Sequence, residues 1–130
     1  MTRSVLAIGD EYFSTQGART ILSMLGCTLV GPARDLEHAR HLVATAMPHA
    51  AILDIELGLD SDQGQPFVFS LADFLADRQI PFGFVAGAGW LRTIPERHAR
   101  RPVARKPYGV THIERLLSGL GCAHPGKARA

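Results

Sequence analysis

The chain has 130 residues, of which 46% are hydrophobic and 20% are charged, and its formal net charge is +2. This length supports one compact domain with a buried core, and the small net charge does not by itself indicate a nucleic-acid partner. The most basic internal stretch, residues 97–106, has no aromatic side chain for stacking on bases, so we interpret it as a solvated loop face.

Cysteine usage and apolar patterning argue against secretion and against membrane insertion. Cys27 and Cys122 lack the spacing of a metal site, and two separate thiols without a secretory signal fit a reducing cytoplasm. The apolar run near the amino terminus is too short for a signal peptide or a membrane span. We therefore expect a cytoplasmic domain at residues 1–121, without membrane contact, followed by a flexible tail at residues 122–130.

Strand and helix patterns alternate in the first part of the chain. Residues 4–9 form a short apolar run that ends at a glycine, which is typical of a buried strand. Apolar side chains at helical spacing within residues 11–25 predict a helix, which the next glycine ends. Residues 27–31 predict a second strand, closed by a Gly-Pro pair. Asp35 is a suitable N-cap for the helix that follows. The inner face of that helix is predicted to be Leu36, Ala39, Leu42, Val43 and Ala46.

The pattern continues in the middle of the chain. Residues 50–54 predict a third strand, and a loop rich in glycine and aspartate follows it. Pro66 is placed where the first turn of a helix tolerates proline. The inner face of this helix is predicted to be Val68, Leu71, Ala72 and Leu75. Residues 81–87 then predict a fourth strand.

The last third of the chain has the weakest signals. Residues 88–100 contain a proline and many charges, so any fourth helix there is expected to be short or irregular. Residues 101–106 predict a fifth strand, and its polar character places it at a sheet edge. An amphipathic helix ends the pattern, with an inner face of Val110, Ile113, Leu116, Leu117 and Leu120.

Five strands that alternate with helices predict an α/β fold, with a parallel sheet covered by helices on both faces. Right-handed crossovers leave few topologies, and the flavodoxin-like, doubly wound order 2-1-3-4-5 is the commonest for five strands. In this order strands 1 and 3 are neighbours. Ligands of such folds bind outside the carboxyl ends of the strands at this point.

Charged residues follow three of these predicted strand ends. Asp10 and Glu11 follow strand 1, Asp54 ends strand 3 with Glu56 two residues later, and Lys106 ends strand 5. Carboxylates that crowd together repel one another, and a hard cation such as Mg²⁺ resolves this because it prefers oxygen ligands. Beside such an ion, an ionised aspartate is a competent nucleophile toward a phosphoryl group, whose charge a lysine would stabilise.

This ordered set of residues resembles the receiver domain of two-component response regulators, over about residues 4–120. The resemblance implies that Asp54 accepts a phosphoryl group from a histidine kinase or a histidine phosphotransfer protein. It implies that Asp10, Glu11, Asp54 and the backbone carbonyl of Glu56 hold Mg²⁺. It also implies that Lys106 pairs first with the acceptor carboxylate and then with the phosphoryl group.

Two positions depart from the family pattern. A threonine or serine usually closes strand 4, where this chain has Ala86, and an aromatic residue usually stands three residues before the lysine, where it has Val103. Both side chains of the usual conformational switch are therefore replaced. We expect the phosphoryl chemistry to be retained and its coupling to conformation to be non-standard, with residues 55–64 and 88–100 as the segments that respond.

Two other functions remain open. A pseudo-receiver would bind proteins without being phosphorylated; Ala86 and Val103 favour it, and the complete acidic set with its lysine opposes it. A Mg²⁺-dependent phosphatase of the haloacid-dehalogenase type is disfavoured, because those enzymes carry their nucleophile after the first strand rather than the third. We therefore expect a signalling domain rather than an enzyme, with a downstream protein partner that the sequence does not identify.

Overall fold

The computed structural model describes residues 3–8, 18–33, 35–55, 59–60, 65–105 and 110–121. The strands in these ranges are β1 (Arg3–Ile8), β2 (Cys27–Ala33), β3 (Ala50–Asp54), β4 (Leu59–Asp60), β5 (Gln65–Pro66), β6 (Phe82–Ala86) and β7 (Val103–Arg105). The helices are α1 (Ala18–Met24), α2 (Leu36–Ala46), α3 (Phe67–Asp77) and α4 (Val110–Gly119). Two 3-10 helices, at Ala88–Thr93 and Glu96–His98, lie between β6 and β7.

Five of the strands form one parallel sheet in the order β2-β1-β3-β6-β7. This confirms the α/β, flavodoxin-like order 2-1-3-4-5. Every residue of β3 and of β6 is buried, as expected for central strands that helices cover on both faces. β7 is an edge strand in which Ala104 is buried between two exposed neighbours, which agrees with its more polar sequence.

Helices cover both faces of the sheet, and the alternation of side chains along each strand supplies one core to each face. Val5 and Ala7 of β1 belong to the core packed by α1 and α4, whereas Leu6 between them belongs to the core packed by α2 and α3. The predicted inner face of α3 is fully buried in the second core: Val68, Leu71, Ala72 and Leu75. None of the helices in the described ranges has the length and apolar character of a transmembrane segment.

Helix α2 begins at its predicted N-cap. The Asp35 carboxylate accepts a hydrogen bond from the His38 backbone N–H at 2.8 Å, which satisfies a donor of the first turn. Ala39 and Val43 of the predicted inner face are buried. Ala46 was expected there too and is exposed instead, because the helix ends at this residue and the chain turns away through a positive φ in the next one.

Two connections differ in detail from the sequence expectation. Pro66 lies in the short strand β5 rather than in the first turn of α3, because β5 pairs with β4 as an antiparallel ribbon that the sequence did not predict. The segment 88–100 contains only two 3-10 helices, which confirms an irregular fourth helix. Pro95 separates them, since proline lacks the N–H that a continuous helix needs.

Candidate functional site

Asp54 is buried at the carboxyl end of β3, the middle strand of the sheet. Its side chain is 1% exposed, although the four residues before it in the strand are apolar. Its register partner in β6 is Val85, and the next residue, Ile55, donates its N–H to the Val85 carbonyl at 3.1 Å. Ionisable side chains that are buried at the end of a strand are typical of functional sites, so Asp54 is a candidate site residue.

The two departures from the receiver pattern lie on the strands next to this site. Ala86 ends β6, one residue beyond the register partner of Asp54, and it is fully buried. Val103 begins β7 and is 37% exposed. The methyl group of Ala86 cannot donate a hydrogen bond to an oxygen near Asp54. Val103 lacks the aromatic ring that usually stands at its position in receiver domains.

The remaining predicted site residues, Asp10, Glu11, Glu56 and Lys106, lie outside the described residues. The strands that lead to them are described. β1 ends at Ile8, whose register partner in β3 is Leu53, and β7 ends at Arg105, whose partner is Ala86. Within the described ranges, no group of three or more histidine, cysteine or acidic side chains is placed to hold a metal ion. The Mg²⁺ site and the roles of these residues therefore remain predictions.

A polar cluster that sequence reasoning missed joins α3 to the second 3-10 helix. The Asp73 carboxylate lies 2.8 Å from Nε2 of His98 and accepts hydrogen bonds from Nε and Nη2 of Arg97, at 2.7 and 3.0 Å. The hydrogen bond from Arg97 lowers the pKa of the Asp73 carboxyl below its ordinary value, against a smaller opposing effect of burial. Asp73 and His98 are 25 residues apart, so no local pattern could reveal this pairing.

His98 and Asp54 are the buried polar residues of the described chain. The His98 ring packs edge-on against Phe82 and Phe84, with centroids 5.3 and 6.4 Å away. Its Nδ1 is buried and has no hydrogen-bond partner among the described residues. No sequence pattern distinguished this histidine, whereas in the structure its ring holds the second 3-10 helix against the core.

The basic stretch 97–106 is only partly the solvated face that the sequence suggested. Arg97 forms the ion pair with Asp73, and the Arg101 guanidinium carbon lies 4.2 Å from the centroid of the Phe82 ring. Arg100 and Arg105 are exposed. Positive charge therefore remains accessible next to β7. Arg97 and Arg101 also stabilise the fold through these contacts.

Comparisons with known proteins give similarity at the level of structure. No protein-family model matches the sequence, and no curated protein matches it. The receiver domain of the response regulator PhyR from Erythrobacter litoralis gives a TM-score of 0.74 at 20% identity, over 95% of this chain and 92% of that one. The BeF3-activated conformation of SdrG from Pseudomonas melonis Fr1 gives 0.69 at 26% identity, over 91% and 94%.

A longer protein is similar over part of its length. The anti-anti-sigma factor PhyR from Bartonella quintana gives a TM-score of 0.72 at 21% identity, over 94% of this chain and 48% of that one. The chain thus spans about half of that protein. At these identities the likeness establishes the arrangement of strands and helices.

Proposed function

Because this chain has the fold of a response regulator receiver domain, we propose that it accepts a phosphoryl group on Asp54 from a histidine kinase or a histidine phosphotransfer protein. The proposed receiver unit comprises residues 1–121. The observation that carries the proposal is the buried carboxylate of Asp54 at the end of an otherwise apolar central strand. In doubly wound folds this edge of the sheet is where ligands bind.

The proposed transfer is a nucleophilic attack by Asp54 that depends on Lys106 and on Mg²⁺. A carboxylate oxygen of Asp54 attacks the phosphorus of a phosphohistidine, the P–N bond breaks, and the histidine nitrogen leaves with the electron pair of that bond. The product is an acyl phosphate on Asp54. Lys106, one residue beyond the end of β7, is proposed to pair with the acceptor carboxylate and then with the phosphoryl oxygens.

Mg²⁺ is the cofactor that fits the proposed ligand set. Asp10 and Glu11 follow β1, the strand beside β3, and the backbone carbonyl of Glu56 lies two residues beyond Asp54 in the chain. These groups and the Asp54 carboxylate are oxygen donors, which Mg²⁺ prefers. When bound, Mg²⁺ would offset the negative charge of the carboxylates and of the transferring phosphoryl group.

The proposed conformational response to phosphorylation differs from that of a typical receiver domain. Because residue 86 is alanine, one hydrogen bond to the phosphoryl group is missing. Because residue 103 is valine, the aromatic ring of the usual conformational switch is missing. Neither residue takes part in the attack on phosphorus. We therefore propose that phosphorylation is retained, and that a downstream protein recognises the phosphorylated form without the usual conformational switch.

A pseudo-receiver is the second candidate, and the replacements at Ala86 and Val103 favour it. It would bind a protein partner in a way that does not depend on phosphate. The two candidates differ in one measurable property, which is the formation of an acyl phosphate on Asp54.

The test is phosphorylation by a small donor. The protein is incubated with Mg²⁺ and acetyl phosphate, and its intact mass is measured for wild type, Asp54→Asn and the control Asp77→Asn, which alters an exposed aspartate of α3. We expect one added phosphoryl group in wild type and in the control, none in Asp54→Asn, and loss of the adduct with hydroxylamine, which cleaves acyl phosphates. Absence of an adduct in wild type, together with no binding of BeF3⁻, would establish the pseudo-receiver instead.

A further inference from the structure

Helices α2 and α3 lie side by side on one face of the sheet and share an outer surface. Both pack into the same core, and they contact each other. The strands that follow them, β3 and β6, are parallel neighbours, so the two helices run in the same direction. Both helices end near the edge of the sheet where the strands begin. Asp54 lies at the opposite edge, at the carboxyl end of β3.

Phe74 of α3 contacts two arginines at this surface. The guanidinium carbon of Arg78 lies 4.4 Å from the centroid of the Phe74 ring, and that of Arg40 of α2 lies 5.5 Å from the same centroid. These distances place the two guanidinium carbons less than about 10 Å apart. An arginine that stacks on an aromatic ring can still donate the N–H groups along its edge.

The charges of Arg40 and Arg78 are not balanced within the described part of the chain. Both side chains are exposed, and neither forms an ion pair with an acidic side chain there. Arg97, by contrast, is paired with Asp73. Two guanidinium groups held on one ring repel each other. A bound carboxylate would relieve this repulsion and would also accept charge-assisted hydrogen bonds.

An exposed apolar side chain extends this surface along α2. Met47, the C-cap of the helix, is 75% exposed and follows Arg40 by seven residues, which is about two helical turns. Positions seven apart lie on the same side of a helix. Phe74 is itself only partly buried. Arginine, methionine and aromatic residues are enriched in protein interfaces, so the composition of this surface indicates a protein partner.

The surface is not uniformly positive. Glu37 of α2 and Asp77 of α3 are exposed and close to it in the sequence. A polyanion such as nucleic acid would meet these carboxylates as well as the arginines. A segment with a few acidic residues opposite Arg40 and Arg78 avoids that repulsion and is the better match.

We propose that the α2–α3 surface, defined by Arg40, Met47, Phe74 and Arg78, binds an amphipathic helix of a partner protein that carries acidic residues beside apolar ones. The partner carboxylates bond the two guanidinium groups, and its apolar side chains cover Met47 and the exposed part of the Phe74 ring. A helix is the expected occupant because two helices packed side by side leave a shallow groove into which a third can pack. This binding does not rest on phosphorylation of Asp54.

The first test measures binding of a designed helix by the full-length, unphosphorylated protein. The probe is a fluorescein-labelled, end-capped, alanine-based peptide with two glutamates one helical turn apart and leucines beside them, and fluorescence anisotropy gives its dissociation constant. We expect saturable binding that the double substitution Arg40→Gln with Arg78→Gln weakens by at least about tenfold. The matched control, Arg105→Gln with Arg115→Gln, neutralises two exposed arginines on other elements and should leave binding within about twofold. Circular dichroism verifies that all variants are folded.

The second test separates the arrangement of the arginines from their charge. Arg40→Lys with Arg78→Lys keeps both charges and removes the planar guanidinium groups, so binding should weaken by at least about threefold. Phe74→Leu keeps an apolar side chain and removes the ring that holds both arginines, and we expect a similar loss. Glu37→Gln with Asp77→Asn removes nearby negative charge and should tighten binding by about two- to threefold.

The same peptide is measured on Asp54→Asn, which should bind as wild type does. Failure of the proposed phosphorylation and failure of this surface are therefore distinguishable. A peptide with glutamine in place of both glutamates is the control for the probe and should bind at least about tenfold more weakly.

Four results would overturn the proposal. The first is no saturable binding of the acidic peptide up to its solubility limit. The second is equal binding of the glutamine peptide, which would make the contact purely apolar. The third is equal or tighter binding of a single-stranded oligonucleotide of the same net charge, which would make this a general polyanion surface. The fourth is a dimer in analytical ultracentrifugation that Arg40→Gln with Arg78→Gln dissociates, which would assign the surface to a second copy of this chain.

Discussion

At position 86 a methyl group occupies a fully buried place at the end of β6, next to the residue that pairs with Asp54. A hydroxyl at this position would affect the free energy of folding differently with and without a phosphoryl group on Asp54. Without a phosphoryl group it is a desolvated donor. With one, it has an anionic oxygen to bond.

Replacing Ala86 with Ser should therefore lower the free energy of unfolding of the unphosphorylated protein by about 1–3 kcal/mol. We expect most of this loss to be recovered when BeF3⁻ occupies Asp54. Urea denaturation with and without BeF3⁻ measures both values. Ala51→Ser, at a fully buried position of β3, is the control and should lose stability equally in both conditions. An Ala86→Ser loss that BeF3⁻ leaves unchanged would mean that residue 86 does not face the phosphoryl group.

Gly83 is a second position where a single atom matters. A Cβ there would lie 2.8 Å from the Pro102 carbonyl oxygen and 3.0 Å from Cδ2 of Leu116. The backbone of the edge segment cannot retreat without breaking the hydrogen bond between the Phe84 N–H and that same oxygen. This glycine therefore lets β6, the segment before β7 and helix α4 approach one another closely.

Gly83→Ala should lower the free energy of unfolding by about 1–3 kcal/mol, because the added methyl overpacks a contact with backbone. Gly89→Ala is the matched control, since a Cβ at that position meets nothing within 4 Å. We expect the control to be neutral or more stable by up to about 1 kcal/mol, through the lower entropy of the unfolded chain. Equal stability of the two variants in urea denaturation would contradict the proposed close packing.

At the scale of elements, the connection between β6 and β7 is held by side chains rather than by helical length. Each 3-10 helix is short, at six and three residues, and such helices have poorer hydrogen-bond geometry than α helices. The second one is attached to α3 by the Asp73 carboxylate, which bonds both Arg97 and His98. This attachment holds the second 3-10 helix against α3.

The attachment predicts a dependence of stability on pH. The folded pKa of Asp73 lies below its ordinary value of 3.8, chiefly because of the hydrogen bond from Arg97. Its contribution to stability is therefore present above pH 3.8 and is lost as the pH falls through the lower folded value. Asp73→Asn should flatten part of the decline in unfolding free energy below about pH 4, and the neutral amide oxygen can still accept from His98.

Urea denaturation of wild type and Asp73→Asn between pH 6 and pH 3 measures this difference. Asp77→Asn, an exposed position on the same helix, is the control and should follow the wild-type profile. The side chain of Asp73 is 46% exposed, so the effect should be reduced by added salt. Parallel profiles for wild type and Asp73→Asn would show that the ion pair does not contribute to acid stability.

At the scale of the whole molecule, a parallel sheet with two helical layers places the proposed phosphoryl site where the strands terminate. Asp54 ends the middle strand of the sheet. β6 lies between β3 and β7 and pairs with both, so it connects the strand that ends in Asp54 to the terminal strand of the described sheet.

Much of this architecture was predictable because it depends on local periodicity. All five sheet strands and their order follow from short apolar runs that alternate with amphipathic segments, and the structure moves the described boundaries by only one or two residues. The N-cap at Asp35 and the interruption at Pro95 follow from the chemistry of single residues. The end of β3 at Asp54 was also visible, since a carboxylate that closes an apolar run is itself a sequence pattern.

The amino-acid sequence alone thus determined the order of strands and helices, the two-sided core and the place of the acidic residue at a strand end. Only the tertiary structure decided that His98 is buried against Phe82 and joined to Asp73, and that Arg101 lies against the Phe82 ring. The physical reason is the distance along the chain over which each effect acts. Periodicity and capping act within a few residues, whereas these contacts join segments whose meeting depends on how helices and strands pack together.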